Sequence, residues 1–316
     1  MVNLDNNWVV DYISMKFPKK TITQVIDKGM WIRKIFRVIF DDNTSIILKI
    51  DQGDEGEGTS EKEAYIAQLF SGNGIPAPKT LILDKSKEHC DFSLIVQEYV
   101  GGIKLGTVLE QVGVGEQLEV WKNLGRFFRQ LHTIKGEQSG WLYGWGEQLP
   151  YPPNQYMYQN VVVQNGLEAV KRGYLSSQLQ NQIQNLWREN LDFLNDHIPT
   201  LLSGGPFHWT IYLDPDPKWH VKKLTDLHDV LYWDPAVDLA QLWIPPFLSR
   251  KKNWWQAFLE EYGTEPDLKR LALYKLMQII DALIGKYYEP SSPSNDLWRK
   301  ETITEVEPLL ELARSN

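Results

Sequence analysis

Two periods of apolar residues divide the chain. In Thr21–Val25, Ile32–Phe40 and Ser45–Ile50 the apolar residues alternate or run together, as half-buried and buried strands require. Asp41-Asp42-Asn43 supplies a turn between the second and third runs, which predicts an antiparallel hairpin. Residues 51–58 (DQGDEGEG) are too acidic and glycine-rich for regular structure and read as a connecting loop. They lack the D-x-[DN]-x-[DN]-G-x₅-E spacing of a calcium loop. Thr59 or Ser60 is expected to cap a helix running through Phe70, with Ala64, Ala67 and Leu69/Phe70 on one side. Beyond Gly72-Asn73-Gly74, Pro76 and Pro78, two more strands are predicted over Lys79–Leu83 and Phe92–Val96.

From Gly101 onward the period becomes helical. Leu118, Trp121, Leu124, Phe128 and Leu131 fall at three- and four-residue spacing within 116–134. Leu175, Leu179, Ile183, Leu186 and Leu194 do the same within 166–198, and two or three further helices fit 252–312. Residues 141–155, rich in glycine, proline and aromatics, form a break. Leu201 to Asp238 reads as loop and short strands, the place to look for chemistry. The pattern predicts an α+β protein of two lobes, a small antiparallel-sheet lobe over residues 1–100 and a mainly helical lobe over 101–316, with the boundary near Val100.

Composition narrows the function classes. With 316 residues, 42% apolar and 23% charged, the chain has the balance of a globular protein. A net charge of −8 excludes the basic stripe that nucleic acid requires. The start has no basic segment followed by an apolar one, and no run of about 18 apolar residues occurs, so a soluble, cytoplasmic protein without a membrane partner is expected. Cys90 is the single cysteine, which excludes an intrachain disulfide and a cysteine zinc cluster. The six histidines show no H-E-x-x-H spacing, so no structural metal is expected.

A nucleotide-phosphate clamp needs a cation fixed by a carboxylate. Lys49, at the end of the third strand, and Glu63 on the following helix suit that pair, with Glu61 as the alternative. A strand with Lys49, an acidic helix, a proline-rich turn and a strand ending QEYVGG (97–102) form the layout of a small kinase lobe and its hinge. Together with IPAP (75–78), LGRFFRQLH (124–132), WLYG (141–144) and TDLHDVLYWDPAVDLA (225–240), they give the chain its likeness to a known group. It resembles the aminoglycoside phosphotransferase and choline-kinase-like family, whose patterns read IPVP, EYVGG, LGRxLxxLH and IDWxxxxxGDPxxDLA. The resemblance implies a protein-kinase-like fold and ATP, or another nucleotide, bound with Mg²⁺. It implies a base held at the hinge by Glu98 and Tyr99, phosphates at Lys49 and Glu63, and Asp226 as metal ligand. Asp238 would order the catalytic loop from behind.

The catalytic loop departs from that family. LLSGGPFHWTIYLD (201–214) stands where the family carries L-V-H-G-D-L-H-P-G-N-I-L-V-D. With Leu201, Gly204, Ile211 and Asp214 fixing the register, Ser203 replaces the histidine, Gly205 the catalytic aspartate and Thr210 the metal-binding asparagine. Glycine has no side chain to accept a proton, and threonine offers a hydroxyl where asparagine offers a carbonyl oxygen. His208 is a candidate substitute base, with Asp214 and Asp216 just beyond, although a loop histidine filling space beside Trp209 is the preferred reading. Gly29 is the one glycine in the presumed phosphate loop DKGMWIRKIF, and bulky Met30 and Trp31 follow it.

General-base catalysis supplies about 10²–10⁴-fold, while positioning and metal-based charge stabilisation supply most of phosphoryl transfer. The sequence therefore reads as a catalytically impaired pseudoenzyme that binds a nucleotide or small ligand and acts through a protein partner. The alternatives are an active ATP-dependent phosphotransferase for an amine, amino sugar or amino alcohol, and a scaffold that binds neither. Most of the thirteen tryptophans read as core, and Trp209 and Trp233 with Asp234 are the lesser alternative of an aromatic, acidic pocket for a cationic small molecule.

Overall fold

The structure, a computed structural model, describes residues 4–29, 33–52, 58–142, 153–205, 207–243, 252–284, 300 and 302–315. The chain begins α1 (Asn6–Lys16), β1 (Ile22–Asp27), β2 (Arg33–Phe40), β3 (Ser45–Asp51), α2 (Thr59–Gly72), β4 (Thr80–Asp84) and β5 (Leu94–Glu98). It continues through β6 (Ile103–Lys104), α3 (Leu105–Gln111), α4 (Val114–Leu131), β7 (Gly140–Trp141) and α5 (Pro153–Met157). A π-helical stretch (Tyr158–Asn165) leads into α6 (Gly166–Lys171), α7 (Ser177–Glu189), α8 (Leu191–Asn195) and β8 (Thr200–Leu201). The next part holds α9 (Phe207–Thr210), β9 (Ile211–Asp214), β10 (His220–Leu224), a 3₁₀ turn (Leu227–Asp229) and β11 (Leu231–Trp233). Helices α10 (Ala236–Leu242), α11 (Lys252–Tyr262), α12 (Leu268–Ile284) and α13 (Val306–Arg314) follow. The class is α+β, antiparallel strands first and helices after, as the pattern predicts.

The chain forms two compact units. The first comprises Met1–Glu116, Leu142–Leu149 and Ser203–Val230, and the second Gln117–Trp141, Pro150–Leu202 and Leu231–Asn316. Compactness thus groups the 203–230 segment with the amino-terminal sheet, so Lys49, Glu63 and Asp226 lie in one unit.

In the first unit, β1 to β5 form one antiparallel sheet in the order β1-β2-β3-β5-β4. Alternation assigns its faces. Phe36, Val38, Phe40, Ile46, Leu48, Ile50, Leu94 and Val96 pack with Val9, Tyr12 and Ile13 of α1. Arg33, Lys49 and Asp51 occupy the intervening positions and so point to the opposite face. Helix α1 was not predicted, although Asp5 caps it by accepting from the N–H groups of Asn7 and Trp8. The predicted capping of α2 by Thr59 or Ser60 is not what forms. Gly58, at φ 78°, is the cap residue, and the Asp51 carboxylate takes both the N–H (2.9 Å) and the hydroxyl (2.9 Å) of Ser60. A second sheet, β10-β9-β6, completes this unit.

In the second unit, β7, β11 and β8 form a small sheet in the order β7-β11-β8. The single helix suggested by 166–198 is interrupted, because Gly173 at φ 73° ends α6 and Ser176 caps α7. Gly125 of the LGRFFRQLH string lets α4 meet α11, since a Cβ there would lie 2.3 Å from the Phe258 carbonyl oxygen. The histidine of that string, His132, bonds the Tyr262 hydroxyl (3.0 Å) and the Asp238 carboxylate (3.3 Å). No helix among the described residues is long and apolar enough to cross a membrane.

Candidate functional site

Alternation along β3 sends Lys49 to the face opposite α1, where the first turns of α2 meet it. Its ammonium bonds Glu63 Oε1, while Arg33 Nη1 donates to Glu63 Oε2 at 2.6 Å. Arg33 Nη2 donates to Ser60 Oγ at 3.1 Å, and its Nε stands 3.0 Å from Asp51 Oδ1 as an ion pair. Two cations and two carboxylates thus neutralise one another in a buried cluster. Burial alone would raise the Glu63 carboxyl, but the charges of Lys49 and Arg33 outweigh it and hold the pKa at about 2. Asp51 goes the other way, its carboxyl raised by burial that Arg33 only partly offsets. The pair predicted from sequence is formed, and its second cation, Arg33, was missed. The signal was available: in the hairpin register Arg33 pairs with Asp51, two residues beyond Lys49 on the same face.

Asp226 Oδ1 lies 4.0 Å from Lys49 Nζ. Its backbone is left-handed, at φ 58° and ψ 52°, a conformation that costs a non-glycine residue about 1–2 kcal/mol. Asparagine and aspartate enter this region most readily, and such strain gathers at functional sites. Asp226 immediately precedes the 3₁₀ turn, yet its side chain caps nothing there. With 36% of that side chain exposed, the carboxylate is open to a ligand.

The loop upstream is locked to this turn. Gly204 sits at φ 80°, and a Cβ on it would lie 2.3 Å from the Asp229 carbonyl carbon, so only glycine fits. The Thr210 carbonyl accepts from Thr225 N (2.9 Å) and Thr225 Oγ1 (3.2 Å), which ties position 210 to the residue before Asp226. Gly205 and Thr210 are neighbours: a Cβ on Gly205 would stand 3.0 Å from Thr210 Cγ2. Both are buried, as is Ser203.

At the hinge, Glu98 pairs with Ile46, and its Oε1 accepts from Lys79 N at 3.3 Å. Tyr99 N donates to Ser45 O (3.1 Å), and the Arg37 guanidinium lies 3.8 Å above the Tyr99 ring. The sequence reading missed Lys223 of β10, whose buried ammonium donates to the Val100 carbonyl. That ammonium stands 4.1 Å from the Tyr212 ring centre and 5.4 Å from that of Tyr99. Burial, helped by the like charges of Lys49 and Lys222, pushes its pKa down to about 8. A lysine three residues before Asp226 in a strand carries no pattern that marks it, because its role depends on which strand end it faces.

The remaining sequence candidates divide. His208 is exposed on α9, with Nδ1 3.7 Å from where a Gly106 Cβ would stand. Asp214 is paired with Lys222, and its Oδ1 takes the Asp216 N–H at 3.2 Å, so it shapes the hairpin turn. Glu61 accepts from Ser93 Oγ at 2.9 Å, turned to another partner than Lys49. Gly29 has the left-handed φ of 47° suited to a close turn, and Met30 and Trp31 lie outside the described residues.

The aromatic, acidic pocket expected from Trp233 and Asp234 does not form. Trp233 is 1% exposed, its indole N–H donates to Asn154 Oδ1 (3.1 Å), and its ring lies edge-on to Tyr274. Asp234 is buried and bonded to Arg270 (2.6 Å) and the Tyr274 hydroxyl (3.1 Å). Both serve the core of the second unit. Trp209, by contrast, is 46% exposed.

Residues 23–274 match the sequence profile of the phosphotransferase enzyme family, APH. The chain belongs to that family. Its matched span contains Lys49, Glu63, the 97–102 and 201–214 strings, Asp226 and Asp238. Solved structures of phosphotransferases superpose along nearly its whole length. The GDP and kanamycin complex of APH(2")-IIia is 14% identical, with a TM-score of 0.63 and 98% of each chain covered. A thermostable mutant of aminoglycoside phosphotransferase APH(4)-Ia, in ternary complex with ADP and hygromycin B, is 11% identical with a TM-score of 0.65, covering 97% of this chain and 99% of that one. The streptomycin–ATP–APH(2")-IIa ternary complex is 13% identical with a TM-score of 0.64, covering 99% of each. The fold is the protein-kinase-like one that the motifs imply. No curated protein sequence gives a significant match.

Proposed function

We propose that this phosphotransferase-family protein binds a nucleotide through Lys49, Glu63, Asp226 and the hinge at Glu98 and Tyr99, and is impaired in phosphoryl transfer by the changes at positions 205 and 210. One observation carries the reading. Lys49, Glu63 and Asp226 stand together, while the Thr210 methyl group lies 3.0 Å from where a Cβ on Gly205 would be, the position to which the resemblance assigns a proton acceptor. Relatives whose structures hold GDP, ADP or ATP support the nucleotide part of the reading.

The residues present suit a Mg²⁺ ion brought in by the nucleotide. Such ions are held by one or two carboxylates together with substrate phosphates, and Asp226 offers an open carboxylate next to Lys49. Among the described residues no cluster of three or more histidine, cysteine, aspartate or glutamate side chains could hold an ion alone. Asp226 would be the ligand, with the Thr210 hydroxyl a weaker second donor than an asparagine oxygen. The ion would neutralise charge on the phosphates. Lys49, oriented by Glu63, would pair with the phosphate oxygens.

Loss of a general base lowers the rate by about 10²–10⁴-fold, and loss of a metal ligand removes part of the electrostatic stabilisation as well. The residual function is then binding, of the nucleotide and of a small molecule related to the aminoglycosides that the compared structures hold, with its effect passed to a protein partner. Calorimetric titration with Mg-ADP and Mg-ATP tests this directly, alongside sensitive detection of ADP release over amines, amino sugars and amino alcohols. Nucleotide binding with no acceptor-dependent release is the expected result. Turnover at ordinary kinase rates, of about 1–100 s⁻¹, would replace this reading with that of a working phosphotransferase. Absence of any nucleotide binding would leave the scaffold.

A further inference from the structure

We infer that Lys223 selects the nucleobase at the hinge, favouring a purine that carries an oxo group on its hinge-facing edge over adenine. This rests on the nucleotide reading above and adds to it the identity of the base. The Lys223 ammonium does not reach into solvent as most lysines do: the residue is 6% exposed, bonds the Val100 carbonyl and lies against the faces of Tyr212 and Tyr99. Its charged neighbours are Lys49 of β3, Arg37 of β2, and Lys222 and Asp226 of its own segment. It therefore joins the Val100 carbonyl, next to Tyr99, to the strand that leads into Asp226.

Lys49 and Lys222 have their own carboxylates in Glu63 and Asp214, whereas the buried Lys223 ammonium has a carbonyl and two ring faces as its contacts, a costly place for a cation. An ammonium has three donors and no acceptor. Here one of those donors already occupies the Val100 carbonyl, an acceptor that the exocyclic amino group of a base could otherwise use. A base arriving at this edge meets donors. The amino group at position 6 of adenine is itself a donor and finds no partner in the ammonium, whereas the 6-oxo group of guanine or hypoxanthine accepts from it. The Tyr212 and Tyr99 faces are taken by the ammonium itself, so the selection lies in the polar edge.

The test uses the full chain with Mg²⁺ and three diphosphates, GDP, inosine diphosphate and ADP, with affinities read by calorimetry. Inosine diphosphate carries the oxo group at position 6 without the 2-amino group of guanine, which isolates the edge in question. The wild-type protein is expected to bind both oxopurine nucleotides about tenfold or more tightly than ADP, the scale of one charge-assisted hydrogen bond. Lys223→Met is expected to erase that ratio, chiefly by strengthening ADP. Equal or tighter binding of ADP by the wild type overturns the inference and leaves the nucleotide reading in place. So does an oxo preference that survives in Lys223→Met. Failure of all three nucleotides to bind a protein that still unfolds cooperatively overturns both. Should Lys223→Met not fold, the wild-type order of the three nucleotides and the ratio in Lys223→Gln decide the matter.

Discussion

Thr210 Cγ2 stands 3.0 Å from the point a Cβ on Gly205 would occupy. Positions 205 and 210 are therefore sterically linked: a β-branched residue at 210 has room because 205 has no side chain. Gly205→Asp alone is expected to destabilise the protein by about 1–3 kcal/mol through overpacking. Adding Thr210→Asn removes the crowding methyl group, so the double variant is expected to be more stable than the sum of the singles by about 0.5–3 kcal/mol. Urea unfolding of the four proteins in the cycle measures this. The double variant is also expected to gain about 10²–10⁴-fold in acceptor-dependent ADP release; additive stabilities with no gain would show that the loop does not present these positions to a substrate.

Glu63 holds two cations. Removing its charge in Glu63→Gln leaves Lys49 and Arg33 with a single buried carboxylate, Asp51, between them, and a loss of about 3–5 kcal/mol is expected. Nucleotide affinity is expected to fall at least tenfold as Lys49 loses its orientation, with both effects read by unfolding and calorimetry on one preparation. A variant as stable as the wild type would contradict the charge arrangement.

The same carboxylate sets an acid limit. Its folded pKa of about 2 lies below the ordinary 4.5, so its contribution is complete above pH 4.5 and disappears as pH falls towards 2. The size of the loss is roughly 3 kcal/mol. Asp51, whose carboxyl is raised, acts in the opposite sense, which is why the comparison is made between wild type and Glu63→Gln. Their difference in unfolding free energy should be constant from pH 7 to pH 5 and shrink below pH 4.5. A difference that grows on acidification would reverse the assignment.

Asp226 sets a backbone cost against its chemistry. Asp226→Gly is expected to stabilise the fold by about 1 kcal/mol, because glycine adopts φ 58° without strain, while abolishing the Mg²⁺ dependence of nucleotide binding. Asp226→Asn keeps the conformation and should lose the Mg²⁺ dependence with little change in melting temperature. If both variants keep that dependence, Asp226 is not the metal ligand.

Gly204→Ala offers a purely steric test. Its new Cβ would collide with the Asp229 carbonyl carbon at 2.3 Å, and φ 80° is unfavourable besides. A drop in melting temperature of several degrees is expected, larger than for alanine at Gly113, where a Cβ meets nothing within 4 Å.

The sequence made the local parts of this architecture readable. Alternation located β1, β2 and β3 within two residues, and the Lys49–Glu63 pair followed from a strand end and a helix start lying close in sequence. What escaped were features decided by tertiary packing. The cap of α2 is supplied by Asp51 from a strand, so its own Thr59 and Ser60 misled. Trp233 and Asp234 look like a pocket in the string YWDP, yet Asn154, Arg270 and Tyr274, distant in sequence, claim them for the core. Lys223 is one lysine among many until the Val100 carbonyl is seen beside it.

In many protein kinases, activity is switched by the positioning of the helix that carries the glutamate partner. Here the Asp51 carboxylate fastens both the N–H and the hydroxyl of Ser60, and Arg33 bridges that carboxylate to Glu63. Moving α2 away would carry Glu63 with it and leave Arg33 and Lys49 with Asp51 alone. These contacts tie the start of α2 to the sheet, so the helix and the charge cluster can only be displaced together.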